Sequence, residues 1–223
     1  MDGKLLTDAL TKFILGLLIT AVLLFVPAGT FRFWNAWALI CALFIPMFLA
    51  GSFMFFKAPE LLRRRLKAKE KQAEQKGVIA WSGLLFVAAF VLAGLGKRFG
   101  WYMLPRIVSV QGIGWFLIGY GYFALALMEN EYLSRTVEVQ EGQRVVDTGV
   151  YETVRHPMYT ATLVMFLAMP LILGSPFSFA VMLGYIPVIV RRIRWEEALL
   201  EQELEGYREY ERKVRYRLIP HIW

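Results

Sequence analysis

Two short stretches of the chain carry side chains able to do chemistry. The first is Asp147-Thr148-Gly149-Val150-Tyr151-Glu152-Thr153-Val154-Arg155-His156-Pro157-Met158-Tyr159. It ends where an apolar run begins. Pro157 suits the first position of a helix, where a missing N–H is no loss. Arg155 and His156 then stand at the helix entrance beside free backbone donors, a place that suits a carboxylate or a phosphate. Tyr159 lies about one turn further on and adds a hydroxyl. The plainer alternative is that Arg155 and His156 only anchor the chain at a membrane edge. A histidine-based metal site would need both His156 and His221 with carboxylates, and the single Cys41 excludes a cysteine-rich one; no metal is expected.

The second stretch is Arg191-Arg192-Ile193-Arg194-Trp195-Glu196-Glu197-Ala198-Leu199-Leu200. It reads as the opening of an amphipathic helix. Trp195, Leu199, Tyr207 and Tyr210 fall near one face, and Glu197, Glu201 and Glu205 recur at i, i+4 on another, which reads as a solvated face. Glu196 and Glu197 sit directly beside the preceding apolar run. A carboxylate there can hold ribose hydroxyls or an amino group. The plainer role is an ion pair with Arg192 or Arg194, worth little where exposed. The signals of soluble nucleotide enzymes are missing. There is no G-x-x-x-x-G-K-[ST] loop and no G-x-G-x-x-G after a strand. Gly112-Ile113-Gly114 and Gly119-Tyr120-Gly121 lie inside an apolar run, where small residues mark close helix packing.

The elements that must position these residues are membrane helices. Of 223 residues, 57% are hydrophobic, and the mean hydropathy is +0.48. Only 19% are charged, against roughly 25% in soluble domains. That excludes a soluble globular protein, which would lack a polar coat, and a disordered one, which would lack this apolar content. A bilayer core needs about 20 apolar residues per helix. Spans are expected at about Leu10–Val26, Phe33–Phe56 (with Pro46 as a kink), Val78–Gly96 and Ile107–Met128. Pro157–Val190 is broken at Leu173-Gly174-Ser175-Pro176, and reads as a tight hairpin with arms short for independent spans. The fold class is an all-α polytopic membrane protein, four spans plus a C-terminal hairpin, with a cytoplasmic C-terminal helix. Residues 1–128 are expected to hold the N-terminal transmembrane helices and 129–223 the cytoplasmic loop, hairpin, C-terminal helix and tail that carry both chemical stretches, within one integral membrane domain. A cleaved signal peptide is a poor reading, because Asp2 and Asp8 precede the apolar run and no A-x-A-like site follows it.

The charges set the topology. If the spans alternate, only Arg32, Lys97, Arg98 and Arg106 of the 25 Lys and Arg face one side. Positive-inside reasoning puts the N-terminus, the long loops and the tail in the cytoplasm. The net charge of +7 is then an orientation signal that also favours anionic lipid. No nucleic-acid partner is expected. Lys57–Lys76, with Glu70 and Glu74 among its lysines, reads as a solvated connector, or alternatively as a lid over a lipid entrance.

Together the two stretches resemble a known signature. Arg155-His156-Pro157-Met158-Tyr159 is similar to the R-H-P-x-Y of the isoprenylcysteine carboxyl methyltransferase family and its phospholipid methyltransferase relatives. Glu196-Glu197-x-x-Leu200 resembles that family's E-E-x-x-L, at a spacing that fits a hairpin between them. Val139-Gln140, Val145 to Tyr151, Gly206-Tyr207-Arg208-Glu209-Tyr210 and Arg215 to Pro220 extend the likeness over Asn130 to Trp223. The chain departs from the pattern at Val150, where proline is common, and at Ala161, where glycine is common and a ligand would press on backbone.

The resemblance implies an integral membrane methyltransferase using S-adenosylmethionine and a lipophilic acceptor from the bilayer. It assigns the cofactor pocket to His156, Tyr159, Arg155, Pro157, Tyr151, Gln140, Tyr207 and Tyr210, with Glu196 and Glu197 holding polar groups. An arginine before the glutamate pair would place the acceptor: Arg192 first, then Arg191 or Arg194. The rival resemblance is to membrane sterol reductases, which carry a similar R-H-P-x-Y and a tail like Val214-Arg215-Tyr216-Arg217-Leu218-Ile219-Pro220 and use NADPH. A non-enzymatic membrane protein is a third reading.

Overall fold

A computed structural model describes residues 3–66, 73–133 and 139–223, with backbone alone at 73–75. The described residues form nine α-helices and no strand. These are α1 (Gly3–Ala28), α2 (Trp34–Lys57), α3 (Pro59–Leu66), α4 (Ala73–Arg98), α5 (Arg106–Glu129), α6 (Pro157–Ile172), α7 (Pro176–Leu183), α8 (Tyr185–Glu203) and α9 (Tyr207–Lys213). A short 3-10 turn covers Gly149–Glu152.

Five segments are long and apolar enough to cross a membrane: α1, α2, Lys76–Arg98 of α4, α5, and the run Pro176–Glu203 made of α7 and α8. α6 is a shorter apolar helix. Large side chains such as Leu18, Phe53, Trp81 and Ile118 point outward, exposed, as a surface in contact with lipid requires. The protein is an integral, multi-pass membrane protein, as the composition implies.

The hairpin reaches the far end of the bundle. Its turn at Gly174 accepts a hydrogen bond from Leu104 N at 2.8 Å. Asn35, at the start of α2, donates to Ser109 Oγ at 3.0 Å and to Ile172 O at 2.8 Å. α6 therefore runs the depth of the bundle beside α5. Two glycines of α5 allow this: a Cβ at Gly112 would lie 2.9 Å from Ile172 N, and one at Gly119 would lie 2.8 Å from Met165 Cγ. Gly114 and Gly121 meet nothing, so close packing uses one glycine of each pair. Ala161 also belongs to this seam, since its carbonyl faces Gly119 and its side chain is fully buried. The expectation that it presses on a ligand is corrected to helix packing.

Two boundaries differ from the sequence expectation. The return arm bends at Gly184 and continues without a break from Tyr185 to Glu203, so Arg191 lies mid-helix instead of opening one. The amphipathic helix then stops, because Gly206 adopts φ +82 and turns the chain into α9. Tyr207 and Tyr210 thus sit on a separate helix from Trp195 and Leu199. Of Lys57–Lys76, Pro59–Leu66 is helical, Glu70 lies outside the described residues, and the role of the segment as connector or lid rests on residues that are partly outside them.

Candidate active site at one end of the bundle

α6 begins where the sequence places it, with His156 as the residue before the first turn and Pro157 at its head. The backbone donors of Arg155 and His156 are not free. Arg155 N donates to Tyr216 O and His156 N to Arg217 O, both at 2.9 Å. Thr160 Oγ1 adds a bond to Leu218 O at 2.8 Å. The tail lies along the signature and takes the two donors that precede the helix, while Tyr159 N and Thr160 N turn back to His156 O at 3.0 and 3.1 Å.

Behind the signature is an ion-pair knot centred on Glu197, which is 3% exposed. Its Oε1 accepts from Arg155 Nε at 2.9 Å and meets Arg155 Nη2 at 2.7 Å and His156 Nε2 at 3.1 Å. Its Oε2 accepts from Arg217 Nε at 2.7 Å. Arg155 also donates through Nη1 to Val214 O and Arg215 O, and its Nη2 pairs with Glu211 at 3.2 Å. A buried carboxylate is tolerable only when paired and hydrogen-bonded, and this one is saturated. Its partners are Arg155 and Arg217, not the Arg192 or Arg194 that sequence distance suggested. Glu197, expected to hold polar groups of a cofactor, does not line the cavity wall and lies behind the residues that do.

In front of the signature a cavity opens, with an empty volume of about 840 Å³ including its mouth. Tyr151, Arg155, His156, Pro157, Tyr159, Arg192, Glu196, Tyr207 and Tyr210 all line it. The sequence-predicted residues from four separate elements therefore meet in one place. Tyr159 OH donates to Glu196 Oε2 and accepts from Arg192 Nε at 2.8 Å. The Arg192 guanidinium also lies 5.8 Å from the centre of the Tyr159 ring. Tyr210 OH donates to Tyr151 O at 2.8 Å, and Tyr151 OH to Ala126 O at 3.3 Å.

Tyr207 is different. It is 4% exposed, and among the described residues its hydroxyl has no hydrogen-bond partner. An unsatisfied buried hydroxyl is costly and calls for an explanation. Burial pushes the Tyr207, Tyr151 and Tyr210 hydroxyls above the ordinary tyrosine range, with the nearby Glu197 and Glu196 adding to the effect at Tyr207. All three stay protonated near neutral pH, and Tyr151 and Tyr210 act as neutral donors.

Other predicted residues stand apart. Arg191 lies exposed over the Trp195 ring at 4.4 Å, and Arg194 is exposed; neither lines the cavity. Gln140 does not line it either, and donates to Tyr132 O at 2.6 Å. It thereby braces a loop that does. That loop supplies wall residues that sequence reasoning missed: Asn130, Tyr132, Gln143 and Arg144. The one available signal was their place directly before Val145-Val146 in the resembling run. Gly149, at φ +59, is set by Glu129, whose carboxylate accepts from Val150 N at 2.7 Å and occupies the space of a Cβ.

The phospholipid methyltransferase family model matches residues 108–205. No curated protein matches the chain. The fold is similar to that of the eukaryotic intramembrane Ras methyltransferase ICMT (isoprenylcysteine carboxyl methyltransferase), solved without a monobody. The TM-score is 0.50 at 16% identity, over 96% of this chain and 84% of that one. The matched segment runs from α5 through both signature stretches. The family match covers under half of the chain, and the likeness to the solved methyltransferase is one of fold. The sterol-reductase alternative is not favoured.

Proposed function

We propose that the protein transfers a methyl group from S-adenosylmethionine to a lipophilic acceptor drawn from the bilayer, an isoprenylcysteine-type carboxylate or a related lipid, at the cytoplasmic face. The observation that carries the cofactor assignment is the orphaned Tyr207 hydroxyl in a cavity walled by aromatic rings and by Glu196. A buried donor without a partner fits a ligand that brings an acceptor atom. The rings of Tyr151, Tyr159, Tyr207 and Tyr210 suit a cation, and Glu196 suits an ammonium or ribose hydroxyls. When bound, S-adenosylmethionine supplies an electrophilic methyl on a sulfonium.

The chain's own residues align and shield. Methyl transfer needs no proton on the leaving group, so catalysis is mostly orientation in a water-poor site. Arg192 reaches the cavity wall and is held through Tyr159. A guanidinium there can orient an acceptor carboxylate or phosphate. Glu196, sharing Tyr159 with Arg192, keeps that guanidinium from binding the acceptor so strongly that the nucleophile is quenched. Glu197, through Arg155, His156 and Arg217, fixes the wall without touching the reactants. The cytoplasmic assignment rests on the positive-inside count, and a lateral opening in the bilayer would deliver the acceptor.

The test is to incubate membranes holding the protein with methyl-labelled S-adenosylmethionine and to identify the labelled product. A labelled lipid that disappears in Glu196→Ala supports the reading. Saturable NADPH binding without S-adenosylmethionine binding would overturn it.

A further inference from the structure

A second depression lies on the far side of the Glu197 knot. Arg155, Arg208, Arg212, Arg215 and Arg217 line it, with Glu201 and Glu211. α9 is amphipathic. Tyr207 and Tyr210, with Val214 just beyond, are buried against Leu200, Leu204 and Val145, which turns Arg208 and Arg212 outward at i, i+4.

Charge accounting separates these arginines. Arg155 and Arg217 are committed to Glu197, and Glu211 is committed to Arg155. Glu201 interacts with Glu211, carboxylate against carboxylate. Among the described residues, none pairs with Arg208, Arg212 or Arg215. Like charges at i, i+4 repel, yet the fold gathers a third guanidinium beside them. That arrangement is stable when an anion sits among the three. Guanidinium forks match phosphate oxygens bidentately.

The position names the source. Arg155 forms part of this depression and stands two residues before Pro157, the first residue of α6. The depression is therefore near the level at which a membrane helix begins, where lipid headgroups lie. We propose that Arg208, Arg212 and Arg215 seat the phosphate of an anionic membrane lipid, outside the methyl-transfer cavity. Because Arg155 and Arg217 form the back of the same depression, an occupied seat leans on the knot that holds His156. This site does not depend on the proposed methyl transfer.

The experiment titrates the full-length, detergent-solubilised protein with phosphatidylglycerol or phosphatidylcholine and counts retained lipids by native mass spectrometry. The wild type should prefer phosphatidylglycerol by about tenfold or more, and R208Q/R212Q/R215Q should lose most of that preference. R208K/R212K/R215K keeps the charge without the forks, so a weaker preference should persist; it carries the test if the glutamine variant does not fold. Equal retention of both lipids by the wild type, or wild-type preference in the glutamine variant, overturns the proposal. Inorganic phosphate bound at the three arginines without any headgroup preference would also overturn it, by making free phosphate the ligand.

Discussion

Arg155 meets Glu197 through two guanidinium nitrogens on one carboxylate oxygen, at 2.9 and 2.7 Å, across 42 positions of sequence. The two residues come from opposite sides of the membrane hairpin, and their pairing brings the signature against α8. Both are nearly buried. Their charge is therefore a structural commitment; the neighbouring His156 and Glu196 line the cavity, His156 held by Glu197 and Glu196 by Tyr159.

Glu197→Ala should lower stability by about 3 kcal/mol or more, because it strands buried Arg155 beside only Glu211. Glu197→Gln should cost less, since an amide oxygen still accepts. Thermal unfolding in detergent without ligand reads both. A variant as stable as the wild type would remove Glu197 from its proposed supporting role.

Tyr207→Phe separates folding from binding. Deleting an unpartnered hydroxyl should leave the melting temperature of the ligand-free protein unchanged or raised. It should weaken S-adenosylmethionine by about five- to tenfold, one lost hydrogen bond. Isothermal titration measures the second effect. Unchanged affinity would mean that the hydroxyl does not face the cofactor.

Arg192 is predicted to act on the acceptor. Arg192→Lys keeps the charge but loses the planar fork, and should reduce kcat/KM for the acceptor by about a hundredfold through misalignment. Cofactor affinity should move far less. An equal loss in both would make Arg192 part of the cofactor pocket through Tyr159. Arg191→Ala and Arg194→Ala, both outside the cavity, should leave turnover near wild type.

Gly149→Ala should cost about 1–3 kcal/mol, since alanine resists φ +59 and its Cβ would strike the Glu129 carboxylate. Glu129→Gln combined with it should recover little, because the side chain stays in place. Denaturation midpoints of the two variants test this.

Glu211 gives a pH signature. Burial raises its pKa, the Glu197 and Glu201 carboxylates raise it further, and Arg155 opposes them. The folded state then holds this proton more tightly than the unfolded state does. Its contribution is full below the ordinary carboxylate range and is lost as pH rises through the raised value. Glu211→Gln cannot titrate, so the difference in melting temperature between wild type and variant should change across that window and be flat above it. A difference independent of pH would contradict the assignment.

Much of this was legible in the chain. The apolar runs gave the helices, since length and hydropathy decide what a bilayer accepts. R-H-P-x-Y and E-E drew attention to residues that do meet in one cavity. What stayed hidden was the pairing of partners distant in sequence. The Glu197 carboxylate found Arg155 and Arg217, although Arg192 and Arg194 were nearer along the chain, because a helix face turned them elsewhere. The wall residues Asn130, Tyr132, Gln143 and Arg144 had no periodicity to betray them. The break at Gly206 was readable only in hindsight, from one glycine with a left-handed backbone.

The pairing of Arg155 and His156 backbone with the carbonyls of Tyr216 and Arg217 also sets a timetable. The signature leaves the ribosome about 60 residues before the strip that covers it, a delay on the order of several seconds at ordinary synthesis rates. During that interval α6 can enter the membrane with its entrance unsealed and its arginine unmatched. A nascent chain therefore carries the signature without the pocket.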